Sequence, residues 1–85
     1  MEETWKLYIL RCKDGSLYTG ITTDVAARLE AHRSGKGAKY TRGRGPLELV
    51  YSEGCGDHSA ALKREWTIKS LTRSQKLELI AQWKE

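Results

Sequence analysis

Two strand-like segments on either side of Lys13-Asp14-Gly15 restrict the fold of this chain more than any other feature. Residues 6–11 and 17–21 are rich in β-branched and aromatic side chains, which favour strands. An Asp-Gly pair between two such segments is typical of a tight turn. The pattern therefore predicts a β-hairpin near the start of the chain.

The length of the turn decides which side chains share a face of this hairpin. A three-residue loop of a type I turn followed by a bulge needs glycine at its third, left-handed position, which Gly15 occupies. We therefore predict that Leu10 lies opposite Tyr18 and Tyr8 opposite Gly20. In this register the two tyrosine rings are diagonal neighbours on one face, and Gly20 leaves space beside Tyr8. Taken alone, the two tyrosines are better explained as ordinary strand aromatics, which are common in half-buried strands.

The rest of the chain predicts one more strand and three helices. Gly35 ends the first helix and begins a glycine-rich loop, and Gly54 to Asp57 is expected to end the strand. The predicted elements are a helix from Val25 to about Ser34 capped by Asp24, a strand from Leu47 to Tyr51, a helix capped by Ser59 and ending near Ser70, and a helix from Thr72, in a capping box with Gln75, to about Trp83.

These elements predict a single α+β domain over residues 1–85 in the order ββαβαα. A right-handed crossover through the first helix places the third strand beside the first. The fold class expected is therefore a three-stranded antiparallel sheet of order 2-1-3 flanked by about three helices. A chain of 85 residues leaves no room for a second domain.

The chain shows no signal for export or membrane insertion. Acidic residues stand at the N-terminus, where a secretory signal would be basic, and no segment approaches the roughly 20 apolar residues of a membrane span. Two cysteines are too few for a disulfide scaffold or a four-ligand zinc site, so we interpret them as incidental thiols. A cytoplasmic location is expected.

Positive charge is concentrated in the loop between Gly35 and Gly45. The whole chain has a net charge of +4, and this segment alone holds four basic residues and no acid. A focused basic segment is suited to an anionic partner such as nucleic acid. The candidate contact residues are Lys36, Lys39, Arg42 and Arg44, with Tyr40 either stacking on a base or folding onto the domain.

Polar residues also fall on predicted apolar helix faces. In the first helix, with Val25, Ala26 and Leu29 on the apolar side, Arg28 and His32 are four residues apart and lean toward the sheet. This pair could be a site or could be a satisfied core histidine beside an arginine that reaches solvent.

In the second helix, the carboxylate of Glu65 also falls on a predicted apolar face. It is predicted to lie near the centre of an apolar arc formed by Ala61, Leu62, Trp66 and Ile68, rather than on the solvent side. Because a carboxylate is seldom buried without a partner, it must meet a cation, namely Arg28, Lys69 or a metal ion. A structural salt bridge is the alternative to a metal site.

Taken in order, Tyr8-Ile9-Leu10, Tyr18-Thr19-Gly20, Arg28, His32 and Glu65 resemble the motifs of the GIY-YIG nuclease domain. The resemblance spans nearly the whole chain. Residues 17–22 and 35–42 are more specifically similar to the small bacterial YhbQ-like proteins. It implies an endonuclease that hydrolyses nucleic-acid phosphodiester bonds, DNA above all, with weak sequence preference and a role in DNA repair or processing.

The resemblance also implies a role for each site residue. Tyr8 and Tyr18 would share the base and orienting duties around an attacking water, with Gly20 part of the same motif and His32 assisting the proton transfer. Arg28 would stabilise the phosphoryl oxygens, and Glu65 would bind one Mg²⁺ or Mn²⁺. The basic loop would contact phosphates without reading sequence. No obligatory protein partner is evident.

Two other functions remain open at this stage. Many members of the family carry an asparagine after the glutamate, whereas this chain has none, although Gln75 lies in the same region. This difference favours a catalytically weak nucleic-acid binding module as the alternative. A third possibility is a protein-interaction domain with Trp5 or Trp83 as an exposed anchor.

Overall fold

The computed structural model describes residues 4–37, 43 and 45–83, and within them it confirms the predicted order and sheet. The strands pair in the order β2-β1-β3, and both pairs are antiparallel. The elements are β1 Trp5–Arg11, β2 Leu17–Thr22, α1 Val25–Arg33, β3 Glu48–Gly56, α2 His58–Lys69 and α3 Arg73–Gln82.

The hairpin register is also confirmed. The Cys12 amide donates to the Ser16 carbonyl and the Gly15 amide donates to the Cys12 carbonyl, each at 2.9 Å. Gly15 has a φ of 84°, the left-handed conformation that this loop requires. Tyr8 consequently lies opposite Gly20, as predicted.

The sheet separates two small apolar clusters, one on each face. On one face Tyr8, Leu10, Cys12 and Leu47 are buried, with the apolar side chains of α1 against them. On the other face the buried residues come from three elements, namely Leu7 and Ile9 of β1, Val50 of β3 and Ile68 of α2. The alternation of β1 side chains therefore sends Tyr8 to the face that α1 covers.

The third strand extends beyond the predicted end at Tyr51. It continues to Gly56, and Gly54 pairs with Lys6 and Gly56 with Trp5. The register shifts once within this extension, between Trp5 and Lys6, and a second shift, between Ile9 and Leu10, lies in the part of the strand that was predicted. The pairing with β1 thus overrides the low strand propensity of the glycines, which was the basis for the shorter prediction.

The start of α2 differs from the prediction by two residues. Asp57, not Ser59, is the N-cap, and its side chain accepts a hydrogen bond from the Ala60 amide at 2.8 Å. The capping box of α3 is confirmed, because Thr72 accepts from the Gln75 amide and Gln75 accepts from the Thr72 amide. Both aspartate and serine are good N-caps, so local sequence could not choose between Asp57 and Ser59.

Several apolar helix residues face solvent instead of the sheet. In α2 only Ala61 and Ile68 are buried, while Leu62 is 45% and Trp66 is 74% exposed. Ala26 of α1 is exposed as well. A short helix on a three-stranded sheet buries only a narrow stripe, so the broad apolar arc predicted for α2 was wrong.

The tryptophans near the two ends are not exposed anchors. Trp5 is half-buried, with its ring centroid 4.4 Å from that of His58. Trp83 is also half-buried, 6.4 Å from the ring of Tyr51. The protein-interaction hypothesis therefore loses the two residues on which it was based.

Two further findings concern the cysteines and the membrane. Cys12 and Cys55 are free thiols, Cys12 being buried, as expected of incidental cysteines. Over residues 4–37, 43 and 45–83, no helix has the length and apolar character needed to cross a membrane.

We expect Asp57→Ala to lower the free energy of unfolding by about 1 kcal/mol, because the Ala60 amide loses its acceptor. For a domain of this size the midpoint of thermal unfolding should fall by roughly 4–8 °C. Ser59→Ala is the matched control, with an expected change within about 0.5 kcal/mol. Equal losses in the two variants, measured by urea and thermal denaturation, would contradict the assignment of the cap.

Candidate active site

A buried hydrogen bond between Tyr8 and His32 forms the centre of the candidate site. The Tyr8 hydroxyl lies 2.9 Å from His32 Nε2, and each residue is only 2% exposed. Tyr8 comes from the central strand and His32 from the last turn of α1. This pair confirms that His32 leans toward the sheet, and it joins the two elements through side chains that could transfer a proton.

Tyr18 completes an aromatic cluster around this pair. Its ring is 5.3 Å from that of His32, in an edge-to-face arrangement, and 6.4 Å from that of Tyr8. Edge-to-face contacts are favourable for aromatic rings at such distances. The diagonal placement of the two tyrosines, expected from the hairpin register, thus brings both of them to His32.

Gly20 is required by the position of the Tyr8 side chain. A Cβ at residue 20 would lie 2.5 Å from the Tyr8 hydroxyl and 2.7 Å from Cζ, far inside van der Waals contact. Gly20 does not have a left-handed φ, so it is needed for space and not for conformation. The empty position predicted beside Tyr8 is therefore filled by the tyrosine ring itself.

Gly37 is a second close contact, which the sequence analysis missed. A Cβ there would overlap His32 Nδ1 and lie 2.7 Å from His32 Cγ. The backbone after α1 therefore packs directly on the imidazole, on the side away from its Nε2 contact with Tyr8. Its only sequence signal is a glycine two residues after Gly35, which we interpreted as part of a flexible loop.

Arg28 contributes positive charge beside the two buried groups. Burial raises the pKa of Tyr8, and this effect exceeds the opposite one of the Arg28 guanidinium, which lowers that pKa by hydrogen bonding and by charge. Burial also lowers the pKa of His32, and the charge of Arg28 lowers it further. At neutral pH the site therefore holds a neutral phenol and a neutral imidazole next to a cation.

Glu65 lies at the margin of the buried stripe of α2, not at its centre. Its side chain is 21% exposed, and Oε2 is 3.3 Å from Nζ of Lys69, one of the cations proposed from the sequence. The charge of Glu65 reaches the Tyr8 phenol, whose pKa it raises. Because Lys69 is 54% exposed, its ion pair with Glu65 is weak, and a more strongly bound cation can replace the ammonium group.

Glu65 is also the candidate metal ligand. Among the residues that the structure describes, no three His, Cys, Asp or Glu side chains form a cluster that could hold a metal. A single carboxylate suits a hard cation such as Mg²⁺ or Mn²⁺, which keeps several waters and takes further oxygens from a phosphate substrate. The donor set therefore fits a largely hydrated divalent ion and not an all-protein zinc site.

Most of the predicted nucleic-acid contacts lie outside the described residues. Lys36 is exposed just after α1, where its amide donates to the Ala31 carbonyl at 2.8 Å. The other four candidates, Lys39, Tyr40, Arg42 and Arg44, fall within the positions that the structure does not describe.

Gln75 does not replace the missing asparagine at the site. Its side-chain Oε1 accepts a hydrogen bond from the Thr72 amide at 3.0 Å, and the residue is exposed. The Gln75 side chain, which its position in the sequence suggested as a substitute for asparagine, instead forms part of the N-terminal cap of α3.

Comparison with known proteins identifies the family. Residues 4–78 match the model of the GIY-YIG catalytic domain. A UPF0213 protein of Cronobacter sakazakii is 56% identical over 79 residues, covering 93% of this chain and 83% of the relative. The UPF0213 protein YhbQ of Escherichia coli K12 is 54% identical over 78 residues, covering 92% and 78%.

Solved structures of similar proteins agree with the fold. The solution NMR structure of a UPF0213 protein from Bacillus halodurans is 50% identical, with a TM-score of 0.59 and coverage of 92% of this chain and 83% of that one. An E. faecalis protein, also solved by NMR, is 37% identical, with a TM-score of 0.63 and coverage of 94% and 86%. The protein therefore belongs to the GIY-YIG family, among the small YhbQ-like proteins of the UPF0213 group.

Proposed function

We propose that this protein is a metal-dependent endonuclease that hydrolyses phosphodiester bonds in nucleic acid, with DNA as the main substrate. The observation that carries the proposal is the 2.9 Å hydrogen bond between Tyr8 and His32 in a buried site beside Arg28 and Glu65. Family membership supports the same reaction class. A role in DNA processing or repair with weak sequence preference fits the basic residues between Gly35 and Gly45, which would contact phosphates rather than bases.

The electrostatics of the site indicate how a water could be activated. Tyr8 with a raised pKa is a poor base by itself at neutral pH, because it remains a neutral phenol. With the imidazole proton on Nδ1, Tyr8 donates its proton to Nε2 of His32 and accepts one from the attacking water. The phenol thus acts as a relay, and the neutral His32 is the final acceptor.

The remaining site residues would hold the phosphate and its charge. Arg28, always protonated, would bind the non-bridging oxygens, whose charge it stabilises as the water attacks phosphorus. Tyr18 would orient the water beside the Tyr8–His32 pair. Glu65 would hold the divalent ion, which when bound would act as a Lewis acid on the phosphate and its leaving oxygen.

The second candidate is a nucleic-acid binding module with little or no catalysis. Two observations favour it: the chain has no asparagine, and the Gln75 side chain is held in a helix cap. Salt-sensitive binding without cleavage in Mg²⁺, Mn²⁺ or any other divalent ion would decide for this candidate.

Removing the charge of Glu65 should abolish metal-dependent cleavage. We expect Glu65→Gln to slow the cutting of labelled single-stranded, duplex and branched DNA roughly a hundredfold or more, since a bound metal contributes several kcal/mol to such a reaction. Glu53→Gln is the matched control, because Glu53 also forms an ion pair with α2, through Arg64 at 2.9 Å, but on the other side of that helix. Full activity in Glu65→Gln would refute the proposal.

Removing the Tyr8 hydroxyl should be as damaging as losing the metal ligand. Tyr8→Phe keeps the ring but breaks the relay, and we expect cleavage to fall about a hundredfold or more, the usual contribution of a positioned acid or base. Tyr51→Phe is the control, since its hydroxyl donates to Glu53 at 2.9 Å on the opposite face of the sheet. Similar rates for Tyr8→Phe and the parent enzyme would exclude Tyr8 from the proton path.

Gly20→Ala should impair cleavage by displacing the Tyr8 ring, whose hydroxyl and Cζ a new methyl group would overlap. Since a misplaced catalytic group costs about a hundredfold in rate, we expect a loss of this order. Gly54→Ala is the control, because a Cβ there would meet only the Thr4 Cγ2, at 3.9 Å. Equal activities in the two variants, with both folded by circular dichroism, would contradict the assigned position of Tyr8.

The neutral state of His32 can be tested through stability. Because folding lowers the pKa of His32, the unfolded chain binds more protons below pH 6.5, so stability should be complete above that pH and decline as pH falls below it. In urea titrations between pH 5.5 and 8, we expect His32→Gln to be less stable than the parent but to lose less stability on acidification.

His58→Gln serves as the comparison for this titration. It removes the other histidine of the chain, which is exposed, and we expect it to keep the parent's dependence on pH. A parent-like acid dependence in His32→Gln would mean that His32 is not the group whose protonation opposes folding.

A further inference from the structure

Trp66 is the most exposed large apolar side chain among the described residues. It is 74% exposed, compared with 45% for Leu62 and 38% for Leu77. A single exposed apolar residue needs no explanation, but tryptophan is among the most costly side chains to leave in water. Its position relative to the candidate site decides whether Trp66 has a functional role.

Trp66 directly follows Glu65 on α2 and lies about 100° farther round the helix from the buried stripe. With about 100° per residue, positions 62, 65, 66 and 69 form one continuous stripe, which begins at the margin of the buried residues Ala61 and Ile68. Arg64 is on the opposite side of that buried stripe, where it pairs with Glu53. The exposed Trp66 and Leu62 are therefore next to the metal-ligand candidate and not on a remote surface.

The surroundings of this stripe carry positive charge. Lys69 lines a cavity of about 290 Å³ together with Tyr18 of the aromatic cluster and Lys76 of α3. Lys63, three residues before Trp66, is exposed on the adjoining turn of α2. An exposed aromatic ring with Lys63 and Lys69 three residues away on either side complements a ligand that has both a planar ring and a negative charge.

We infer that Trp66 stacks on an unpaired base of the nucleic acid whose phosphate occupies the site. This inference rests on the proposed function and narrows its substrate to single-stranded or locally unpaired nucleic acid. In a duplex the base faces are covered by their neighbours, whereas an unpaired base can stack on an aromatic side chain regardless of its identity. Lys69 and Lys76 bind the phosphates on either side of that base.

Binding measured without divalent metal separates this role from catalysis. The probes are a short fluorescent single strand, the same strand with one abasic position, and the matching duplex, all titrated in chelator at low salt. We expect Trp66→Ala to weaken single-strand binding about tenfold, the usual effect of losing one stacked base, and to change duplex binding little. Trp66→Phe, which retains a ring, should recover most of the affinity.

Two control variants distinguish stacking from apolar surface and from charge. Leu62→Ala shortens the neighbouring exposed side chain and should leave single-strand affinity unchanged. Lys69→Ala should weaken single-strand and duplex binding alike and reduce the slope of log affinity against log salt by about one. When the abasic position is the one that lies against residue 66, Trp66→Ala should lower the affinity for the abasic strand less than the affinity for the intact strand.

A direct optical measurement does not depend on the stability of Trp66→Ala. The chain has three tryptophans, so replacing Trp5 and Trp83 by phenylalanine leaves Trp66 as the only one. Addition of the unlabelled single strand should quench its fluorescence, and addition of the abasic strand should quench it less. Unchanged emission in the presence of saturating single strand would overturn the inference.

The other outcomes are equally decisive. If Trp66→Ala binds the single strand as tightly as the parent, or loses as much affinity for the duplex as for the single strand, the stacking role is wrong. The proposed nuclease function is then unaffected. If Trp66→Ala abolishes self-association of the parent while nucleic-acid binding is unchanged, the surface joins copies of the chain instead. If the parent binds no nucleic acid at low salt, the proposed function fails and this inference fails with it.

Discussion

The hydrogen bond between Tyr8 and His32 is the interaction on which the rest of this structure depends. Both groups are almost fully buried, and a buried polar group without a partner costs about 1–3 kcal/mol. Each therefore stabilises the burial of the other, and through them α1 is joined to the central strand. Among the described residues no buried side-chain nitrogen or oxygen lacks a hydrogen-bond partner, so this polar centre is compatible with a small core.

Two glycines allow this pair to be packed so closely. Gly20 lies against the Tyr8 ring and Gly37 against the His32 ring, and neither place has room for a Cβ. The first follows from the pairing of two strands, whereas the second depends on the path of the chain after α1. Because each ring lies against backbone at one of these glycines, its orientation is restricted, and a fixed orientation is what a proton relay requires.

The second helix separates structural charge from charge at the site. Arg64 and Glu65 are consecutive, yet they project to different sides of the helix, since successive residues are about 100° apart. Arg64 joins Glu53 and the Tyr51 hydroxyl on one side, while Glu65 and Lys69 lie near the tyrosines on the other. Trp66 lies about 100° farther round the helix than Glu65 and is exposed, so a single helix carries the proposed metal ligand, a cation and, beyond them, an aromatic surface.

Sequence alone determined the features that depend on neighbours along the chain. The turn chemistry of Gly15 set the hairpin register, which placed Tyr8 opposite Gly20, and the helical spacing of Arg28 and His32 placed both toward the sheet. The sheet order followed from connection rules that hold for most proteins. These predictions succeeded because hydrogen bonding in a tight turn and side-chain periodicity are local properties.

Only the tertiary structure decided which of several equivalent local choices was used. Asp57 and Ser59 were both suitable caps, and the glycines at the end of β3 became part of the strand once β1 supplied pairing partners. Likewise, the spacing of apolar residues in α2 predicted an apolar arc, but the narrow contact with the sheet buried only Ala61 and Ile68 and left Trp66 in solvent. The close approach of Gly37 to His32 joins a loop to a helix through packing, and no pattern along the chain encodes such a contact.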